Sequence, residues 1–323
     1  MNPTPSQEAV VLLNMGGPNH LQEVEVFLHN MFNDPCILSI KNARLRQLVA
    51  KCIVKSRASK SRAIYARIGG KSPIASLSAQ LAQKLCALDP SRYYTYAMRY
   101  TPPYALGVLE QLQQRAIKHI TLFSMYAQYS TTTTLSSLTD AHNALKSLNY
   151  TPLLNIIDRF YTNALYNQAI VQSIIATLKG RDPQEFVLIF SVHGLPERVI
   201  LQGDPYQAEC IHHVSLLKQA LTRACVFFKH VELAYQSKVG PMKWLEPSTE
   251  AMIEHHRKSK LVIYPLSFSI DNSETLYELQ IQYRLDAKRL GVLEYLVCPC
   301  LNDHLDFAKA ILEVLDNQRT KPS

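Results

Sequence analysis

Acidic side chains are absent from residues 35–88, a stretch that holds eleven Lys or Arg, while the rest of the chain has 23 basic and 26 acidic residues. The formal charge of +8 is therefore a local feature, and with no recognised nucleic-acid motif beside it, nucleic-acid binding is not expected. Glycine is scarce, at ten of 323 residues, and 47% of the chain is hydrophobic, which excludes collagen-like and disordered classes. Long apolar runs are also missing: none approaches the ~18 residues that suggest a membrane span. The first eight residues lack a basic region followed by an apolar core, so a cytoplasmic location is expected. The seven cysteines are odd in number and show no disulfide-like spacing. Cys298 and Cys300 are the one close pair, too few sulfurs for a zinc or cluster site, and a structural use is expected for them.

Within the basic stretch, Leu45, Leu48, Val49, Cys52 and Ile53 follow a helical stripe, with Arg44, Lys51 and Lys55 off it. A solvated helix packed on its own domain explains this pattern; attraction of a dianionic ligand or docking on an anionic membrane surface explains it too. Gly70-Lys71-Ser72 has the ending of a phosphate-binding loop, but Tyr65 stands where its first glycine belongs and Pro73 follows at once. Nucleotide binding is not supported.

Apolar segments of strand length alternate with longer periodic segments, the pattern of parallel sheets covered by helices on both faces. Strands are expected at 9–14, 93–98, 119–124 and 152–156, and again at 185–190, 231–235, 261–264 and 293–297. Four and four suggests duplication. Helices are expected at 74–88, 104–115, 135–148, 165–178, 207–224 and 275–290. The fold class is α/β, two similar doubly wound Rossmann-like domains each with a four-stranded parallel sheet. The division falls between 1–152 and 153–323, inside a boundary region at 150–160, and the last helix, 303–317, is expected against the first domain. The hydroxyls of Ser130 to Thr134 lie between a strand and a helix, where turn formation and capping are their default.

The most informative stretch is Phe190-Ser191-Val192-His193-Gly194-Leu195-Pro196, leading to Gly203-Asp204-Pro205-Tyr206. Gly194 and Pro196 forbid continuing the strand, so His193 is expected in the loop just past its carboxyl end, the edge where open α/β sheets bind ligands. Alternatively, it only hydrogen-bonds the loop. His212-His213 and His255-His256 fall in polar helical contexts and read as surface residues. Asp271-Asn272-Ser273-Glu274 opens a helix at a second strand edge; its spacing fits a capping box and a functional carboxylate equally. Glu278 lies one turn on, on the same face.

These motifs, with Leu12-Leu13-Asn14-Met15-Gly16-Gly17-Pro18, Met98-Arg99-Tyr100-Thr101-Pro102-Pro103, Gln128-Tyr129-Ser130 and Tyr235 to Pro241, resemble the landmarks of the ferrochelatases in their order, from about residue 10 to about 303. The resemblance implies two facing domains with a porphyrin cleft between them. It implies an enzyme inserting ferrous iron into protoporphyrin IX with release of two protons, the terminal step of haem synthesis. Alternatives are a cobalt or iron chelatase for another tetrapyrrole, or a non-catalytic porphyrin carrier. Metal insertion needs a base, a metal guide and a clamp that bends the ring. Neutral imidazole suits the first two tasks, with its ordinary pKa near ~6.5 and its affinity for ferrous iron.

The resemblance assigns His193 and Glu274 to catalysis and metal binding, and Asp271 and Glu278 to a path for metal or protons. Met15, Arg99, Tyr100 and Tyr129 are assigned to porphyrin binding, Arg99 being suited to bidentate pairing with propionate. Met15 as core filler and Tyr129 as a strand-end aromatic are the plainer readings. Trp244 is assigned to packing. Met15, in place of the tyrosine of coproporphyrin-using relatives, favours protoporphyrin. Two departures stand out: Asn272 where many relatives have histidine, which cannot carry a proton, and Gln282 where a third acid often continues the stripe. Residues 35–60 and the turn at 100–104 are expected to form a lid. No cofactor is required, iron being a substrate. Some ferrochelatases hold a two-iron, two-sulfur cluster on cysteines of a carboxyl-terminal extension; the tail at 301–323 has none, and no cluster is expected. Partners are protoporphyrin IX and ferrous iron, with peripheral contact to an anionic membrane as a further expectation.

Overall fold

The computed structural model describes residues 7–237 and 242–319; positions 238–241 of the motif ending at Pro241 lie outside the described residues. The chain divides into two compact units, Met1–Arg159 and Phe160–Ser323.

In the first unit, β1 (Glu8–Asn14), β2 (Tyr93–Met98), β3 (His119–Ser124) and β4 (Leu153–Ile157) form one sheet in the order β2-β1-β3-β4, every pair parallel. Parallel neighbours need crossovers, supplied by α3 (Ile74–Leu88), α4 (Ala105–Gln114) and α5 (Ser136–Ser147), with α1 (Val24–Asn33) and α2 (Ala43–Arg67) inserted after β1. The apolar run of β1 is buried throughout because both its faces are covered. Ala9, Val11 and Leu13 pack with Leu109 and Leu112 of α4 and Leu138 of α5, as alternation along a strand requires.

The second unit repeats the design. Its strands β5 (Phe186–His193), β6 (His230–Gln236), β7 (Lys260–Pro265) and β8 (Glu294–Val297) are ordered β6-β5-β7-β8, again all parallel. The central strand therefore has the same neighbours in each sheet, and the expected duplication of four and four is present. Helices α6 (Ala164–Leu178), α7 (Glu197–Leu201), α8 (Tyr206–Arg223), α9 (Thr249–His255), α10 (Tyr283–Leu290) and α11 (Leu305–Arg319) complete the unit. Here α11 packs against α6.

Three local expectations change. β5 does not stop at 190 but runs to His193, because β6 extends equally far and His193 pairs with Gln236. His213 is fully buried rather than on the surface: its Nε2 lies 2.7 Å from Asn167 Oδ1 on α6, its ring stacks on Tyr166, and burial pushes its pKa down to about 3. Its sequence neighbour His212 stays exposed. On α2, the packed residues are Ala50, Ala58 and Tyr65, while Leu45 and Leu48 are 51% and 61% exposed. The apolar stripe read from spacing thus straddles the packed face and an open one.

Candidate active site

β5 delivers His193 to the carboxyl edge of the second sheet, where Gly194 ends the strand. A Cβ on Gly194 would lie 2.6 Å from the carbonyl oxygen of Gln236, so only glycine lets the two strand ends run this close. The edge of β7 leads through 266–273 to a wide helical segment, Glu274–Gln282, of π type, which continues directly as α10. Wide turns of this kind are rare and frequent at functional sites. Asn272 and Thr275 begin it: Asn272 Oδ1 accepts the backbone N–H of Glu274 at 2.8 Å, and the Asn272 N–H donates to Thr275 Oγ1 at 3.1 Å. Glu274 is therefore not consumed as a cap, and its side chain reaches across to β5.

His193 Nδ1 lies 2.7 Å from Glu274 Oε2. The same carboxylate oxygen receives Ser237 Oγ at 3.0 Å and Gln236 Nε2 at 3.3 Å. Ser237 Oγ is also 2.5 Å from Glu278 Oε2, and the Ser237 backbone N–H donates to Glu278 Oε1 at 3.0 Å. Ser237 holds a φ of +67°, a left-handed conformation uncommon for a residue with a side chain. That turn lets its hydroxyl and N–H both meet the acids. Strain of this sort collects at working sites.

The charges of the pair support each other. Burial pulls the His193 pKa down, but the charge and hydrogen bond of Glu274, with the charge of Glu278, leave it raised. Burial pushes Glu274 up, yet His193 and the donors from Ser237 and Gln236 leave it lowered. Among the described residues no cation contacts Glu278: burial and then the charge of Glu274 push it up to about 6. One carboxyl ready to ionise and one poised near neutrality stand side by side, the arrangement used to separate acid and base roles.

Asp271 sits apart from this group. It is buried, with Oδ1 accepting from Thr275 Oγ1 and Oδ2 from Asn302 Nδ2, both at 2.7 Å, and it ties the helix start to the segment after β8. Cys298 and Cys300 are buried, free thiols in that segment. Trp244 pairs through its backbone with Pro196 and lies against Gly194.

In the first unit, Met15 follows β1, half-buried against the cluster around α1 and α2. Tyr129 is half-buried, with the Arg159 guanidinium 4.8 Å above its ring. Ser130 caps the following turn by accepting the Thr132 N–H, as expected. Arg99 and Tyr100 converge on Asp34, whose side chain is 1% exposed. Arg99 Nη2 lies 3.1 Å from Asp34 Oδ2 and its Nη1 3.3 Å from Asp140; the Tyr100 hydroxyl donates to Asp34 at 2.9 Å. Ser136 donates to the same carboxylate. Tyr100 itself is buried.

Sequence reasoning missed Asp34, Ser237 as a link between two glutamates, Tyr283 and Glu250. Ser237 had a signal, since it follows the end of β6 at the same sheet edge as His193. Tyr283 had none in a 3.6-residue period: its hydroxyl oxygen meets Glu278 Oε1 at 2.7 Å five residues away, a spacing favoured by the wide helix. Among the described residues no helix is long and apolar enough to cross a membrane.

A family model described as Ferrochelatase matches residues 7–319. A ferrochelatase of Helicobacter pylori (strain HPAG1) is 60% identical over 316 residues, covering 98% of this chain and 94% of that protein. A ferrochelatase of Wolinella succinogenes is 50% identical over 309 residues, covering 96% and 98%. Among solved structures, SirB from Bacillus subtilis with Fe3+ aligns with a TM-score of 0.56 at 11% identity, covering 76% of this chain and 90% of that one. CbiX, the terminal enzyme for biosynthesis of siroheme in denitrifying bacteria, aligns at 0.50 and 13%, covering 96% and 98%. Those two likenesses concern the fold; the sequence matches, which span nearly the whole length, carry the assignment: the chain belongs to the ferrochelatase family.

Proposed function

We propose that this chain inserts ferrous iron into protoporphyrin IX, releasing two protons and forming protohaem. The observation that carries the reading is the 2.7 Å contact between His193 Nδ1 and Glu274 Oε2 at the carboxyl edge of a doubly wound sheet, in a member of this family. With Nδ1 held by a carboxylate, Nε2 is the atom left to take a pyrrole proton, and Glu274 stabilises the imidazolium that forms. As proton acceptors and iron ligands, an imidazole and a carboxylate match both tasks of the reaction. A pair of donors suits an ion that is passed on, since a retained metal takes more ligands.

Met15 and Tyr129 are proposed as porphyrin contacts, in keeping with the apolar character of sites for flat ligands. Arg99 is already paired with two carboxylates, which leaves it little net charge for a propionate. Its role and that of Tyr100 are proposed as shaping this region through Asp34. Met15 supports protoporphyrin over coproporphyrin.

We also infer a cytoplasmic enzyme that docks on anionic lipid. Leu45, Leu48 and Cys52 are exposed on α2 beside the exposed Arg44, Lys51 and Lys55, an apolar strip flanked by cations. Co-sedimentation with phosphatidylserine vesicles is expected to be salt-sensitive and lost on replacing both leucines by serine; equal sedimentation with neutral vesicles would refute it.

The function is tested by mixing purified protein anaerobically with ferrous iron and protoporphyrin IX. A haem spectrum is expected, and its absence would overturn the proposal. His193→Ala and Glu274→Ala should each bind porphyrin without turnover.

A further inference from the structure

The Tyr283 hydroxyl carries one hydrogen but has two carboxyl partners. Its oxygen lies 2.7 Å from Glu278 Oε1 and 2.8 Å from Glu250 Oε1. Both contacts are hydrogen bonds only if one carboxyl group brings a second hydrogen. A phenol flanked by two carboxylates in a buried place would leave one unfavourable close contact. Tyr283 is fully buried, while Glu250, in the first turn of α9, is exposed. The group therefore joins the interior to solvent.

On the other side the contacts continue without a break. Ser237 Oγ lies 2.5 Å from Glu278 Oε2 and 3.0 Å from Glu274 Oε2, and Glu274 meets His193 Nδ1 at 2.7 Å. Gln282, in place of a third acid on the helix, is exposed, so the acidic stripe does not continue along the helix axis. It turns sideways, to α9.

We propose that Tyr283 relays protons from Glu278 to Glu250, making Glu250 the exit to solvent for protons released at His193 and Glu274. In one passage the Glu278 carboxyl O–H gives its proton to the Tyr283 oxygen as the phenolic O–H gives its own to the Glu250 carboxylate. The net change is a proton moved from Glu278 to Glu250; no other bond changes. Glu250 then releases the proton to water, and rotation of the hydroxyl resets the relay. Glu278 is suited to the donor role because burial and the charge of Glu274 push its pKa up to about 6. Burial, with the charges of Glu278 and Glu250, raises Tyr283 far above the ordinary tyrosine value, so it passes protons as a neutral phenol. Tyr283 and Glu250 are relay residues and touch no reacting atom.

The relay rests on the proposed iron insertion, so wild-type turnover is measured first: none at all would refute that function, whereas the variants speak to the relay alone. Glu250→Gln changes a surface side chain, and Tyr283→Phe keeps the ring. In dilute MES at pH 6.5 each is expected to lower kcat ~10-fold with KM for porphyrin unchanged, and the double variant to be no slower than either. Raising the MES concentration should restore both, by supplying an alternative proton carrier, and leave the wild type unaffected. Wild-type rates in dilute buffer would overturn the relay, as would slowed rates that ignore buffer concentration, which mark a merely structural role. Should Tyr283→Phe fold poorly, Glu250→Gln decides by the same criteria.

Discussion

The side-chain oxygen of Asn272 accepts the backbone N–H of Glu274 at 2.8 Å, so this asparagine fixes the start of the helix that carries Glu274. An asparagine bonding two residues ahead is a turn former in its own right. It takes the Glu274 N–H, while Asn302 Oδ1 accepts the Asp271 N–H at 2.8 Å, the bond a capping box would have given Glu274, whose carboxylate is thereby free for His193. Asn272→Ala is expected to cost ~1 kcal/mol, as loss of a helix-starting cap does, and to lower Tm by ~2–4 °C. Turnover should fall several-fold with porphyrin KM unchanged, and Asn272→Asp should restore both. An alanine variant with unaltered melting and rate would show that the contact positions nothing.

Glu274→Gln removes the charge that holds the imidazole. Burial then dominates, the His193 pKa falls, and the acid limb of the pH–rate profile should move to lower pH while kcat drops ~100-fold or more. The intact pair also couples pH to stability. Its raised histidine adds stability present below the ordinary imidazole value and lost as pH rises through the folded value. Its lowered glutamate adds stability present above the ordinary carboxylate value and lost as pH falls through the folded one. The full effect thus lies between roughly pH 4.5 and 6.5, and Tm of the variant relative to wild type should be lowest in that window.

Glu278 has the opposite sign. Its carboxyl is pushed up from 4.5 to about 6, so ionising it in the folded state opposes folding: the penalty is absent below its ordinary value and complete above about 6. Glu278→Gln should therefore gain on the wild type by ~2 kcal/mol between pH 4.5 and 8, read from urea unfolding at the two pH values. A difference that stays flat with pH would refute the shift.

Much of this was visible in the chain. The buried strands β1 and β5 are continuous apolar runs, and counting four strands and four suggested the duplication, though not the strand order. His193 stands at a strand's carboxyl edge, which its sequence context foretold; the spacing of Glu274 fitted a cap equally, and it was the resemblance to ferrochelatases that singled out both. What the sequence hid was hidden for physical reasons. The 3.6-residue period cannot foresee a wide helix, so Tyr283 was invisible as a partner of Glu278. Leu45 and Leu48 fit a buried stripe, but α2 packs through alanines at 50 and 58. His213 looked polar and exposed until Asn167, distant in sequence, satisfied its ring. Asp34 closes no motif; only the fold shows four donors around it.

Those donors engage both oxygens of Asp34. Arg99, Tyr100 and Ser136 hold Oδ2, and the Cys36 N–H donates to Oδ1 at 2.8 Å. Without Asp34, Arg99 keeps Asp140, but buried donors such as the Tyr100 hydroxyl lose their acceptor, at ~1–3 kcal/mol for each group left unsatisfied, so Asp34→Ala should lose at least that much stability in urea unfolding. Cys36 supplies a second reading. Burial first, and then the charge of Asp34, push its thiol up to about 11. Without the carboxylate its pKa falls, its thiolate fraction at a given pH rises, and it should react faster with iodoacetamide. Following the Cys36 peptide by mass spectrometry separates it from the exposed Cys52 and Cys225. In folded Asp34→Asn, which keeps the shape and removes the charge, alkylation at the wild-type rate would show that Asp34 does not govern this thiol.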